Sequence, residues 1–146
     1  MFKRILHPTD FSVANCKAID FINDMKNSGT EEIVLLHVID SRLMSGLPYF
    51  DASLVIDLDA MRERLLKSAK DKLRPLVDDF TKAGFRVFER IEEGIPFVEI
   101  LKVEREEQVE GVVICSCGLS NVKEVFIGSV AAKIIRNSVK PVLVVK

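Results

Sequence analysis

The sequence predicts an α/β domain of three layers, one open parallel sheet between two layers of helices. Three observations carry that expectation. Apolar runs and helical patterns alternate along the whole chain, in the order βαβ(connector)αβαβαβ, and such alternation gives a parallel sheet with right-handed crossovers. Two runs, Ile33-Val34-Leu35-Leu36 and Val112-Val113-Ile114, are apolar without alternation and bounded by turn residues, as in strands covered on both faces. The chain has 146 residues, 48% of them hydrophobic, which is enough for one domain with a core that needs no staples.

Composition excludes several classes of function. Lys plus Arg number 21 and Asp plus Glu 22, for a formal net charge of −1. A nucleic-acid partner usually shows as a basic patch or high pI, and neither is present. No apolar run approaches the ~20 residues that span a bilayer, so no membrane partner is expected. The chain starts directly in a strand pattern without a signal-type apolar stretch, which points to the cytoplasm. Its three cysteines are expected as free thiols, because an odd count without export does not make a disulfide framework.

The first strand, residues 2–6, stops at His7-Pro8, because proline pushes the preceding residue extended and brings no N–H to the ladder. Ser12 is placed to cap a helix whose buried face is Ala14, Ala18, Phe21, Ile22 and Met25. Asn27-Ser28-Gly29 ends that helix. Residues 31–39 form the second, central strand. Residues 40–52 are an irregular connector with Gly46, Pro48 and Tyr49, long enough to serve as a lid. Residues 53–82 have the longest helical period, with Leu58, Leu65, Ala69, Leu73, Leu76 and Phe80 on one face; Pro75 should kink it. Residues 85–91 alternate imperfectly, like an edge strand with one wetter face. Pro96 suits the first position of the next helix, residues 97–109. The acidic cluster 104–110 is expected as a solvated helix face. Gly111 opens the fourth strand, and Val142–Val145 the last.

The stretch from Val112 to Val145 carries the chemistry. A buried strand ends at Cys115-Ser116-Cys117-Gly118, a loop closes at Gly128-Ser129, and a helical pattern follows. Free N–H groups and the helix dipole make such a helix start an anion site, and glycine allows close backbone approach. Ser129 serves equally as a plain helix cap. In open parallel sheets ligands bind beyond the C-terminal strand ends, where strand order reverses. If strands one and four are neighbours, the Pro8-Thr9-Asp10 turn and the Cys115–Gly118 turn meet there. Asp10 can accept from a ribose or base, hold a metal, or act only as a turn residue. His7, Cys115 and Cys117 offer three ligands for a soft metal or a redox pair; buried structural thiols are the simpler reading. No Gly-x-Ser-x-Gly, Walker lysine or His-Glu-x-x-His motif is present, so no catalytic residue is assigned.

Over its whole length the chain resembles the universal stress protein family. The resemblance rests on Ile5-Leu6-His7-Pro8-Thr9-Asp10-Phe11-Ser12, Leu35-Leu36-His37-Val38-Ile39-Asp40, Gly94-Ile95-Pro96 with Glu99-Ile100, and Gly118 to Ser129 followed by Pro141-Val142-Leu143-Val144-Val145. The family's nucleotide motif is Gly-x2-Gly-x9-Gly-Ser/Thr. Gly118, Gly128 and Ser129 match it, whereas Cys115 stands at the first glycine and Cys117 at the usual His. The resemblance implies an adenine nucleotide alpha hydrolase-like fold with strand order 3-2-1-4-5 in a single domain, residues 1–146. It implies ATP or AMP, with Mg²⁺ as an accompanying ion, in the crevice. Pro8, Thr9, Asp10 and Val38 would face base and ribose, Ile114 and Cys115 would end the neighbouring strand, and Gly118, Gly128, Ser129 and Val130 would cradle phosphates. ATP hydrolysis, resting on Asp10 and Mg²⁺, would be slow or absent. A homodimer through Val142–Val145 is also implied, and an edge strand's open hydrogen-bonding row gives it a physical reason. The alternative is a nucleotide-independent dimeric interaction protein with a vestigial crevice.

Overall fold

The structure is a computed structural model that describes residues 2–12, 15–45, 52–116 and 127–146; for residues 15, 16, 45 and 52–57 only the backbone is described. Gly118, Cys117, the Cys16 side chain and residues 46–51 of the suspected lid lie outside these residues. The elements in order are β1 (Arg4–Pro8), α1 (Asn15–Met25) with a short 3-10 turn (Lys26–Ser28), β2 (Glu32–Asp40) and α2 (Arg42–Ser45). Then follow α3 (Ala52–Lys82), β3 (Arg86–Gly94), α4 (Pro96–Glu106), β4 (Gly111–Cys115), α5 (Ser129–Asn137) and β5 (Val142–Val145). All four strand pairings are parallel and the sheet order is β3-β2-β1-β4-β5. The three-layer class and the strand order are those the sequence predicts.

Alternation along the strands sorts the core into two halves. Leu6, Val34, Leu36, Val112 and Ile114 pack with Ile100, Val103, Ala131 and Ile134 of α4 and α5. Ile5, Ile33, Leu35 and Val113 pack with Ile22 and Met25 of α1 and Leu73 and Phe80 of α3. The centres of β2 and β4 are therefore dry on both faces, which is why they read as unbroken apolar runs.

At the edge, β3 keeps Val87 and Ile91 against α3 and turns polar on its other face. There Arg90 pairs with Glu92, Glu106 and Glu107, and Arg4 with Glu32 and Glu107 while lying 4.3 Å from the Phe88 ring centre.

Three local expectations change, at the end of β3, in the acidic cluster and at Ser12. β3 runs on to Gly94, because the nine-residue β2 offers it a partner as far as Asp40. α3 continues unbroken through Pro75, which lies on its exposed side; there water can serve the carbonyl that proline leaves unpaired. The acidic cluster is solvated only in part: Glu106 and Glu110 are exposed, but Glu104 is not. Glu104 is 1% exposed and accepts from Ser138 Oγ and from the Val139 N–H at 3.1 Å, tying α4 to the turn before β5. The Ser12 hydroxyl, expected as a cap, makes no hydrogen bond; its N–H donates to Asp10 Oδ1 at 2.9 Å.

Candidate functional site

β1 pairs with β4 through Ile5–Gly111 and Leu6–Val112, and β5 follows β4. The order therefore reverses at β1, and the β1 and β4 turns open side by side. They border a cleft of about 740 Å³, within the ~300–1,000 Å³ typical of small-molecule sites. Pro8, Thr9, Asp10, Val38, Ile114, Cys115, Gly128, Ser129 and Val130 all line it. Thus nine of the positions singled out in the sequence converge on one cavity, and the tenth, Gly118, lies outside the described residues. Cys115 forms part of the wall.

The β1 turn is tightly built. The Thr9 N–H donates to Leu36 C=O at 2.8 Å and its hydroxyl accepts from the Phe11 N–H at 3.1 Å. Phe11 has φ 60, an uncommon conformation for a non-glycine residue. His37 secures it: Nδ1–H donates to Thr9 C=O at 2.9 Å, and the imidazole lies 4.4 Å from the Phe11 ring centre. Burial pushes the His37 pKa down; the Thr9 carbonyl opposes this, Lys72 adds to it and Asp10 opposes it.

The strand ends leave backbone groups open to the cleft. β1 ends at Pro8, opposite Leu36. Leu36 C=O points toward β1, since it takes the Thr9 N–H. Alternation turns Val38 N–H and C=O the same way, where no β1 residue remains. Opposite, α5 begins at Ser129 after Gly128, with no side-chain cap. Its first intrahelical bond runs from Ala132 N–H to Gly128 C=O at 2.9 Å. The amides of Ser129, Val130 and Ala131 precede that bond, so the positive end of the helix dipole faces the cavity.

Asp10 is exposed on the rim. Asp40, also on the lining, is held by Arg42, whose Nε and Nη2 donate to it; that hydrogen bonding keeps its carboxyl below the usual range. His7, expected near the site, is wholly buried and absent from the lining; its Nδ1–H donates to Val113 C=O at 2.9 Å.

Sequence reasoning missed the α3 wall: Leu65, Ser68, Ala69 and Lys72. These sit at helical i, i+3, i+4 and i+7 spacing, so a polar continuation of the apolar stripe was the available signal.

An open parallel α/β sheet with a cleft at its switch point, one wall an uncapped helix start, defines a domain of the doubly wound class. A model of the universal stress protein family matches residues 1–146, and the chain belongs to that family. It is 36% identical to universal stress protein MJ0577 of Methanocaldococcus jannaschii, over 100% of this chain and 96% of that one. The solved structure of MJ0577 superimposes with a TM-score of 0.89 over the same shares. That of hypothetical protein PH0823 does so with 0.81 at 31% identity, over 99% and 94%. Two universal stress protein structures at 20% identity share the fold, one in complex with cAMP (TM-score 0.61) and one, from Archaeoglobus fulgidus, with dAMP (TM-score 0.64). Among the described residues no helix is long and apolar enough to cross a membrane.

Proposed function

We propose that the chain is an adenine nucleotide-binding module of stress response or signalling, working in the cytoplasm and taking ATP or AMP in the switch-point cleft. The observation that carries this reading is the pairing of two open backbone surfaces across one cavity. On one side, Val38 presents an N–H and a C=O side by side, matching the acceptor–donor edge of adenine. On the other, the Ser129, Val130 and Ala131 amides suit a phosphate. Between them Asp10 is placed to accept from ribose hydroxyls. Gly118 belongs to the phosphate loop on the family motif alone. The cAMP and dAMP complexes speak for the fold at their low identity, so the reading rests on this chain's own cleft.

Asp10, a carboxylate on the cleft rim, is the residue that Mg²⁺ carried by ATP would meet together with the phosphates. The module is further proposed to be a homodimer through β5, which lies at the sheet edge. Pro141 C=O and Val145 C=O point to β4, so the N–H and C=O groups of Val142 and Val144 point outward, where a second copy can pair with them.

A nucleotide-independent interaction protein is the second reading, and Cys115 at the family's first glycine position favours it. Nucleotide extraction and mass analysis of the purified protein, with AMP and ATP titration calorimetry, separates the two. Co-purified adenine nucleotide or saturable heat supports the first reading; neither, at millimolar ligand, rejects it.

A further inference from the structure

The helices that line the cleft lie on opposite sides of the sheet, which divides its wall into two lobes. α4 and α5 wall the first, and the nucleotide reading uses only that lobe and the strand ends. The second lies between the β1 turn and α3, with Phe11, His37, Leu43, Leu65, Ser68 and Lys72 on its walls. Its surface is mainly apolar. Leu43 of α2 is 63% exposed there, and apolar surface left in water is unfavourable. Its fixed charge is Lys72, whose Nζ lies 5.6 Å from the Phe11 ring centre and which enters no ion pair among the described residues.

The other titratable groups around it are accounted for. His37, from β2, has given its Nδ1–H to Thr9 and is held neutral by burial. Asp10, from the β1 turn, accepts from Ser12. Asp40 is neutralised by Arg42 of α2.

We propose that this lobe binds a small organic anion with an apolar body, a carboxylate or sulfonate, with its charge at Lys72 and its body against Phe11, Leu43 and Leu65. Each part of that chemistry answers a wall. An apolar body removes the exposed leucine from water, which inorganic phosphate would leave uncovered. An anion is attracted to Lys72, which a neutral or cationic ligand is not. Ser68, one turn earlier on the same face of α3, adds a hydroxyl donor. The α5 amides and Lys72 belong to helices on opposite sides of the sheet, so the proposal expects both lobes to fill together.

The test titrates decanoate and 1-anilinonaphthalene-8-sulfonate into the full chain, followed by calorimetry and amide NMR. The expected result is one site, with shifts at Phe11, His37, Leu65, Ser68 and Lys72. Lys72→Met keeps the aliphatic stem and the melting temperature while affinity falls roughly tenfold or more. Leu43→Glu, on the exposed α2, gives a like loss by charge repulsion. The His37 ring resonances titrate at higher pH with the ligand bound, because the anion offsets Lys72; a purely apolar contact would not move them. Saturating AMP leaves the affinity unchanged. Absence of binding at millimolar ligand, undiminished affinity in Lys72→Met, or displacement by AMP overturns the proposal. The titrations without AMP do not depend on nucleotide binding, so either reading can fail alone.

Discussion

Replacing Gly128 by alanine separates a glycine kept for the fold from one kept for a ligand. Gly94 and Gly111 are crowded by packing: a Cβ would lie 2.7 Å from Glu99 Oε1 in one, so that this side chain would have to move, and 2.9 Å from Phe2 Cδ2 in the other. At Gly128 the backbone is ordinary, φ −56 and ψ 155, and a Cβ would meet only Ser116 C=O, at 3.7 Å. Alanine there reduces unfolded-chain entropy, a gain of about 0.4–1 kcal/mol. It is also a poorer N-cap than glycine, a loss of ~0.5–1 kcal/mol. The two nearly cancel, so the melting temperature should move by no more than about 3 °C. The added methyl, however, stands at the cleft wall where a phosphate would reach the α5 amides. Losing one charge-assisted hydrogen bond costs roughly 1.5–3 kcal/mol, or about ten- to a hundredfold in AMP affinity. Thermal unfolding and AMP calorimetry on Gly128→Ala read both numbers. A fall in melting temperature beyond ~6 °C, or unchanged affinity for AMP, refutes the reasoning.

Three other predictions concern charge and the sheet edge. His7 is held below its ordinary pKa of 6.5 by burial, against the pull of Val113 C=O and Asp10, and His37 shifts the same way. The folded state therefore binds these protons more weakly than the unfolded chain. Stability is full above about pH 6.5 and falls below it by at most ~1.4 kcal/mol per pH unit for each histidine; urea midpoints that stay flat from pH 7.5 to 5 contradict this. Glu104→Ala leaves Ser138 Oγ and Val139 N–H short of an acceptor and should cost about 2 kcal/mol, or ~4–8 °C by calorimetry, where a surface acid would cost under ~0.5 kcal/mol. Val144→Pro removes an outward-facing N–H of β5 while sparing the bonds to β4, so light scattering should show the proposed dimer in the parent chain and folded monomers in the variant; a monomeric parent, or a dimer mass unchanged by the substitution, would contradict pairing through β5.

Much of the fold was legible because local and global signals agree. The centres of β2 and β4 are dry on both faces, so Ile33-Val34-Leu35-Leu36 and Val112-Val113-Ile114 are apolar without pause, and Pro96 at the start of α4 marks its boundary. Strand order came from family resemblance, since alternation of elements does not order a sheet. Features set by distant partners were hidden. Glu104 reads like its exposed neighbours in an acidic run until Ser138 and Val139 are seen to cover it. Lys72 reads like any helix lysine until α3 packs beside the β1 turn. The extent of β3 followed from the length of β2. In the site, the switch-point logic brought Asp10, Val38, Cys115 and Gly128 together from four separate segments, whereas the Phe11–His37 contact depends on a left-handed residue that no pattern announces.

The most direct test of the central claim is an amide NMR titration of the full-length protein with AMP. The account predicts saturable shifts concentrated at Thr9, Asp10, Val38, Ser129, Val130 and Ala131. Absence of shifts at millimolar AMP, or shifts centred on β5 or on the Arg90 ion-pair face, would contradict it.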